Sequence, residues 1–191
     1  MIQTHGITTE TVKRFILDAG AVYLNLGEAS EVLLGATRGG NVFLVKQDIR
    51  TMEVDGARGP VKGARRIIAV RARITANLLE IDADSLVKIL PGSAKTDYPS
   101  TVAKTHDSIK RVRDIIDSDY LTNVAIVGKI SGADEDFIGI VKEALSDENM
   151  ELTTADKEEG VIAVTFTGHF DPANLSEEPW EIRFPLITEG S

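Results

Sequence analysis

One stretch limits the folds open to this chain more than any other. Between Ile67 and Leu79, the residues Ile68, Val70, Ala72, Ile74, Ala76 and Leu78 alternate with Arg71, Arg73, Thr75 and Asn77. A period of two, with one apolar and one polar face, is that of a strand half-buried against a core. At about 3.3 Å per residue the stretch would run ~40 Å. Ordinary strands run about 17–20 Å. Such a strand either bends at a sheet corner or extends beyond its own domain.

The segment just before it is equally unusual. Residues 47–66 have almost no apolar periodicity, and Gly56, Gly59, Pro60 and Gly63 are spread among bases. This predicts a long irregular loop or an extended hairpin; connections above about 12–15 residues are uncommon in compact domains and are usually functional or mobile. Upstream, Val12, Phe15, Ile16 and Ala19 have helical spacing behind Thr8-Thr9, whereas Ala21 to Leu24 prefers a strand, so that boundary stays open. Gly35 to Gly40 is a loop and Val42 to Lys46 a strand.

Downstream, Asp82 is placed to cap a short helix, Ala83 to Leu90, that Pro91-Gly92 stops. Lys110 to Ile116 and Leu121 to Ile130 resemble a strand pair joined through Asp117-Ser118-Asp119. A flanking helix is expected over 134–146, with Phe137, Ile140, Val141, Ala144 and Leu145 on one face and three acids at its N-terminal end. Gly139 inside it would cost about 1 kcal/mol relative to Ala. Met150–Thr154 and Val161–Phe170 then form a hairpin, and Trp180, Ile182 and Phe184 alternate as a closing edge strand. With 191 residues and no repeat, the inventory describes one domain over 1–191: mainly β, a two-sheet β-sandwich or barrel with one flanking α-helix.

Several function classes drop out on composition. Cysteine is absent, which excludes disulfide frameworks, thiolate metal sites and cysteine nucleophiles. No apolar run approaches the ~18 residues of a membrane span. Met1 to His5 lacks a basic, then apolar, leader pattern, so the expectation is a soluble protein made in a cytoplasm. The net charge of −9 conceals a division along the chain: 18 bases and 15 acids up to Ile130, then 3 bases and 15 acids. A general nucleic-acid binder is disfavoured by that balance. A molecule with one basic and one acidic pole can instead stack head to tail on its own copies.

No motif asks for an enzyme. Gly128-Lys129-Ile130 lacks the hydroxyl and upstream glycine of a phosphate loop. His5, His106 and His169 are scattered without metal-type spacing, and Asp134-Glu135-Asp136 lacks the glycine and terminal glutamate of a calcium loop. There is no nucleophile elbow. No catalytic, metal or cofactor-binding residue is therefore nominated, and no cofactor is expected.

The segment from Ile16 to Asp84 carries a resemblance. Its elements are Leu17-Asp18-Ala19-Gly20-Ala21-Val22-Tyr23, Gly35-Ala36-Thr37-Arg38-Gly39-Gly40-Asn41, Glu53 to Gly63 and the long strand ending Leu78-Leu79-Glu80-Ile81; further on stands Asp117-Ser118-Asp119-Tyr120-Leu121-Thr122-Asn123-Val124. In this order the elements resemble the tail tube (major tail) proteins of long-tailed bacteriophages. The resemblance implies a virion tail protein assembled in the host cytoplasm, forming hexameric rings by merging inner sheets and stacking into a tube that conducts the genome. Its partners would be further copies of itself, tape-measure protein, tail terminator and baseplate proteins, with double-stranded DNA passing transiently through the lumen and no membrane binding. The long loop would contact the adjacent ring, which nominates Arg50, Glu53, Asp55, Arg58, Lys62, Arg65 and Arg66. The polar face of the long strand, Arg71, Arg73, Thr75 and Asn77, is the candidate lumen wall. Bases there would grip phosphate, so either acids of a neighbour neutralise them or that face is not the lumen. The alternatives are another ring protein of this fold (a tail terminator, a baseplate ring, the tube of a contractile or secretion-type machine) or a small cytoplasmic enzyme or ligand-binding module.

Overall fold

The computed structural model describes residues 6–8, 10–154 and 156–187. The strands are β1 (Ile16–Leu24), β2 (Val32–Leu33), β3 (Val42–Thr51), β4 (Arg65–Leu78), β5 (Ser93–Tyr98), β6 (His106–Arg111), β7 (Leu121–Ile130), β8 (Asp136–Ser146), β9 (Glu151–Thr153), β10 (Val161–Thr167) and β11 (Trp180–Arg183). One helix, α1 (Ala83–Ile89), follows β4, and 3-10 turns occupy Thr11–Arg14 and Asp117–Asp119. His5 and Thr9 lie outside the described residues.

Nine strands share one hydrogen-bonded sheet, ordered β2-β1-β7-β8-β10-β4-β3, with β11 beside β8 and β9 beside β10; β5 and β6 form a separate pair. The large sheet folds over into two layers. β8 is the corner: Ile138 to Val141 pair with β11, whereas Leu145 and Ser146 pair with Thr167 and Phe166 of β10. One layer is β2-β1-β7-β8-β11 and the other β9-β10-β4-β3. The alternation of β4 puts Ala72, Ile74, Ala76 and Leu78 between them, against Ile162, Val164 and Phe166 of β10 and Val22, Leu24, Val124, Ile126 and Val141 of the facing layer. Each fully buried Leu, Ile or Phe stabilises the fold by about 1.5–3 kcal/mol. The mainly β, two-layered fold is as the sequence predicts.

Helix α1 closes one end of the sandwich. Asp82 caps it, its carboxylate accepting from the N–H groups of Asp84 and Ser85 at 2.8 and 2.9 Å. Ile89 and Leu86 plug into the core.

The helix expected over 134–146 is not formed. Asp136–Ser146 is β8, an eleven-residue strand. A strand covered on both faces loses its alternation, and Phe137 to Val141 then fits a helical period equally well. Branched Ile138, Ile140 and Val141 favour the extended form. The Phe43 ring lies over Gly139 from the opposite layer; a Cβ there would stand 3.3 Å from ring carbons. The three acids, Asp134 to Asp136, occupy the β7–β8 turn and the start of the strand rather than a helix N-terminus. Nor do Lys110–Ile116 and Leu121–Ile130 pair. β6 pairs with β5, and β7 lies between β1 and β8.

Candidate assembly interface

β3 and β4 stay paired from Val42↔Thr75 out to Thr51↔Arg65. Segment 47–66 is thus an extended hairpin, and the long strand does leave the body. Near the core, Phe43 and Val45 on β3 pack inward beside Ala72 and Ile74. A bulge between Asp48 and Ile49 gives β4 one extra residue. Bulges bend a ribbon and raise its twist. Beyond it both faces are exposed: Ile49 at 55%, Ile67 at 54% and Ile68 at 64% have no layer to cover them. Val54 and Val61, at the tip, are exposed too. The tip is held by a few backbone bonds, Met52 N–H to Ala64 O (2.8 Å), Ala57 N–H to Val54 O and Ala64 N–H to Val61 O (both 3.1 Å). Gly56 and Gly63 make its turns at φ +85° and +88°, conformations that other residues adopt only with strain.

All seven loop residues nominated from sequence are on this arm. Arg50, Arg65 and Arg66 are on its strands, and Glu53, Asp55, Arg58 and Lys62 are at its tip. Arg50 stands directly opposite Arg66, and like charges in that position destabilise a ribbon. Among the described residues none of Arg50, Arg58, Lys62, Arg65 and Arg66 has an ion-pair partner.

The bases of the strand proper are arranged differently. Arg71 meets Asp48 at 3.5 Å, Lys46 meets the same carboxylate at 4.0 Å, and Arg73 pairs with Glu148. Thr75 shares a 3.1 Å hydrogen bond with Thr165, Thr167 donates to Asp147 at 2.7 Å, and the Asn77 carbonyl accepts from the Arg38 N–H at 2.9 Å. Arg71, Arg73, Thr75 and Asn77 therefore share one polar outer face, where acids of the same chain, not of a neighbour, answer both arginines. β3 ends its layer, so one backbone edge of ten residues is free. β1 is likewise free before Tyr23 on the side where β2 pairs.

A second hairpin, β5–β6, is clamped to the body. Lys95 reaches Asp84 of α1 at 2.5 Å, and Lys104 bridges Asp97 (3.0 Å) and Asp107 (2.7 Å). The hydrogen bonds from Asp107 and Asp97 raise the Lys104 pKa, and that from Asp84 raises Lys95's.

One feature escapes sequence reasoning. On the outer face of the first layer, a hollow of about 280 Å³ has Leu26 and Ile140 among its lining, with Lys142, Glu177, Glu178 and Glu181 around it. Lys142 holds Glu177 and Glu181, and Arg183 holds Glu181 at 2.8 Å. The bond to Glu177 raises the Lys142 pKa, and Arg183 first, then Lys142, lowers that of Glu181. Alternation around Trp180 was the available signal, but Lys142 was assigned to a helix.

His106 is exposed beside Tyr98, and His169 turns Nδ1 to the Glu143 carbonyl at 3.0 Å with its ring edge-on to Tyr120. Among the described residues no group of three His, Asp or Glu is placed to hold a metal ion. No helix is long and apolar enough to cross a membrane.

No protein-family model matches the chain, and no curated protein matches it. Among solved structures, the chain is similar to the tail of an empty GTA particle, computed with helical refinement in C6 symmetry. The TM-score is 0.41 at 8% identity, covering 78% of this chain and 90% of that chain.

Proposed function

We propose that this chain is the structural subunit of a phage tail tube, forming hexameric rings that stack into a conduit for the genome. The observation that carries the reading is the β3–β4 arm. An isolated ribbon gains little stability in water, and this one exposes apolar side chains on both faces and five cations without partners. Such an arm has a physical use when another copy covers it. The free β3 edge supports the same reading, since unpaired edges invite aggregation unless a defined neighbour takes them.

The polar outer face of β4 and β10 is the wall we assign to the lumen. Its hydroxyls and internally paired charges present little free positive charge, so passing phosphate has few cations to bind. Tape-measure, terminator and baseplate proteins would be the further partners, in a virion tail assembled in the host cytoplasm.

Negative-stain microscopy of the concentrated protein is the test. Rings, and tubes on nucleation, are expected. A species that stays monomeric at virion-like concentration, with no tubes on any nucleating partner, overturns the proposal.

A further inference from the structure

The arm is short of anions, and the hollow on the first layer is short of cations. Around the hollow, Lys142 is spread over Glu177 and Glu181, while among the described residues Glu178 has no ion-pair partner. Asp171 stands at the same rim. The floor is apolar: Ile140 is only 4% exposed and lies beside Leu26. The arm tip carries the opposite in both respects. Arg58 and Lys62 flank Pro60 and Val61, and Val54 is half exposed nearby.

We propose that the arm tip of one copy seats in this hollow of a second copy, Val61 and Pro60 toward Ile140 and the two cations on the acidic rim. The inference rests on the tail-tube reading and adds to it the acceptor surface. The contact is heterologous, joining different patches on the two copies, so it propagates along a stack rather than closing a dimer. Arginine suits the rim because its planar fork can take two carboxylate oxygens at once. The acids of the β7–β8 turn and of residues 151–159 are as numerous, but they do not border the hollow and have no apolar seat to offer. Charge draws the tip in, and the apolar floor gives the contact its position.

Two measurements test this. Carbodiimide cross-linking of assembled wild-type protein joins amine to carboxylate without a spacer. Lys62 is expected to couple to residues 171–181; coupling only to residues 134–136 or 151–159 overturns the proposal. In the second, Arg58→Glu with Lys62→Glu, and separately Asp171→Lys with Glu178→Lys, should each cut tube yield at least ~10-fold. The four changes in one chain should restore it to within about twofold, as expected of directly coupled sites. Thermal melts of each monomer separate misfolding from lost stacking. Normal tubes from the rim variant, or no restoration in the combined one, overturn the acceptor while leaving the tail-tube reading intact. Wild-type protein that never assembles removes both.

Discussion

The turn leading into β7 hangs on one carboxylate. Asp119 accepts from both terminal nitrogens of Arg113 at 2.5 and 2.9 Å, and from the Ile116 N–H at 2.9 Å. The Gly92 N–H adds a further bond. Together they tie the end of the β5–β6 arm and the exit of α1 to β7. The Arg113 bond is the main reason the carboxyl is held down at about 2 rather than 3.8; burial opposes it, and the Ile116 and Gly92 N–H groups assist. At ~1.36 kcal/mol per pH unit the displacement corresponds to ~2 kcal/mol. Arg113 is 39% exposed, and solvent screening reduces the contribution to about 1–2 kcal/mol. The folded pKa lies below the unfolded one, so the contribution is whole above about pH 4 and is lost as the pH falls toward 2. Asp119→Asn preserves the shape and removes the charge. It should lower Tm at pH 7 by roughly 2–8 °C, at about 2–4 °C per kcal/mol for a chain of this size. Calorimetry of both proteins at pH 7, 5 and 3 is the assay. The gap should narrow as the pH falls, because protonated aspartic acid resembles asparagine. Coincident melts at pH 7, or a gap unchanged at the lowest pH, would refute the reasoning.

Two further expectations concern the arm and the corner strand. Amides from Thr51 to Gly63 should exchange rapidly in the free subunit, apart from Met52 and Ala57, whose N–H groups have carbonyl partners, and should become protected in the assembly; strong protection throughout the monomer contradicts this. Gly139→Ala separates the strand from the helix outright: under the Phe43 ring the added methyl is crowded and should cost about 1 kcal/mol or more, whereas in a helix interior it would gain about 1 kcal/mol.

Legibility from sequence followed how much of each element's environment was local. β4 was visible because one face meets the core and the other meets solvent, so its alternation was written out residue by residue. α1 was visible through Asp82 and Pro91, whose effects reach only one turn. The β9–β10 hairpin and the edge strand at Trp180 were likewise bounded by their own turn residues. β8 was not visible, because what decides it lies elsewhere in the chain: Phe43 over Gly139, and β7, β10 and β11 along its edges. The β5–β6 pairing was missed because apolar Val112, Ile115 and Ile116 extend the pattern past Arg111, where pairing ends. The basic arm residues were found by counting charge, but whether they had partners is a property of the fold. The acidic hollow assembles residues from β8 and the C-terminal segment, so no contiguous signal announced it.

The same charges act in opposite senses on the free subunit and on the stack. Arg50 faces Arg66 with Arg65 adjacent and no acid of the chain beside them, so repulsion works against the arm in isolation. Arg71 and Arg73, one layer further in, do have acids of their own. Pairing the arm cations internally as well would stabilise the monomer slightly, since each exposed pair contributes about 0.2–1 kcal/mol. It would also remove the charge that distinguishes a partner's rim from any other surface. Salt screens both effects over about 8 Å at physiological ionic strength. Added salt should therefore relax the free arm while weakening the stack that the arm holds, and a contact built on these cations must lose affinity even as the monomer's own hairpin becomes less strained.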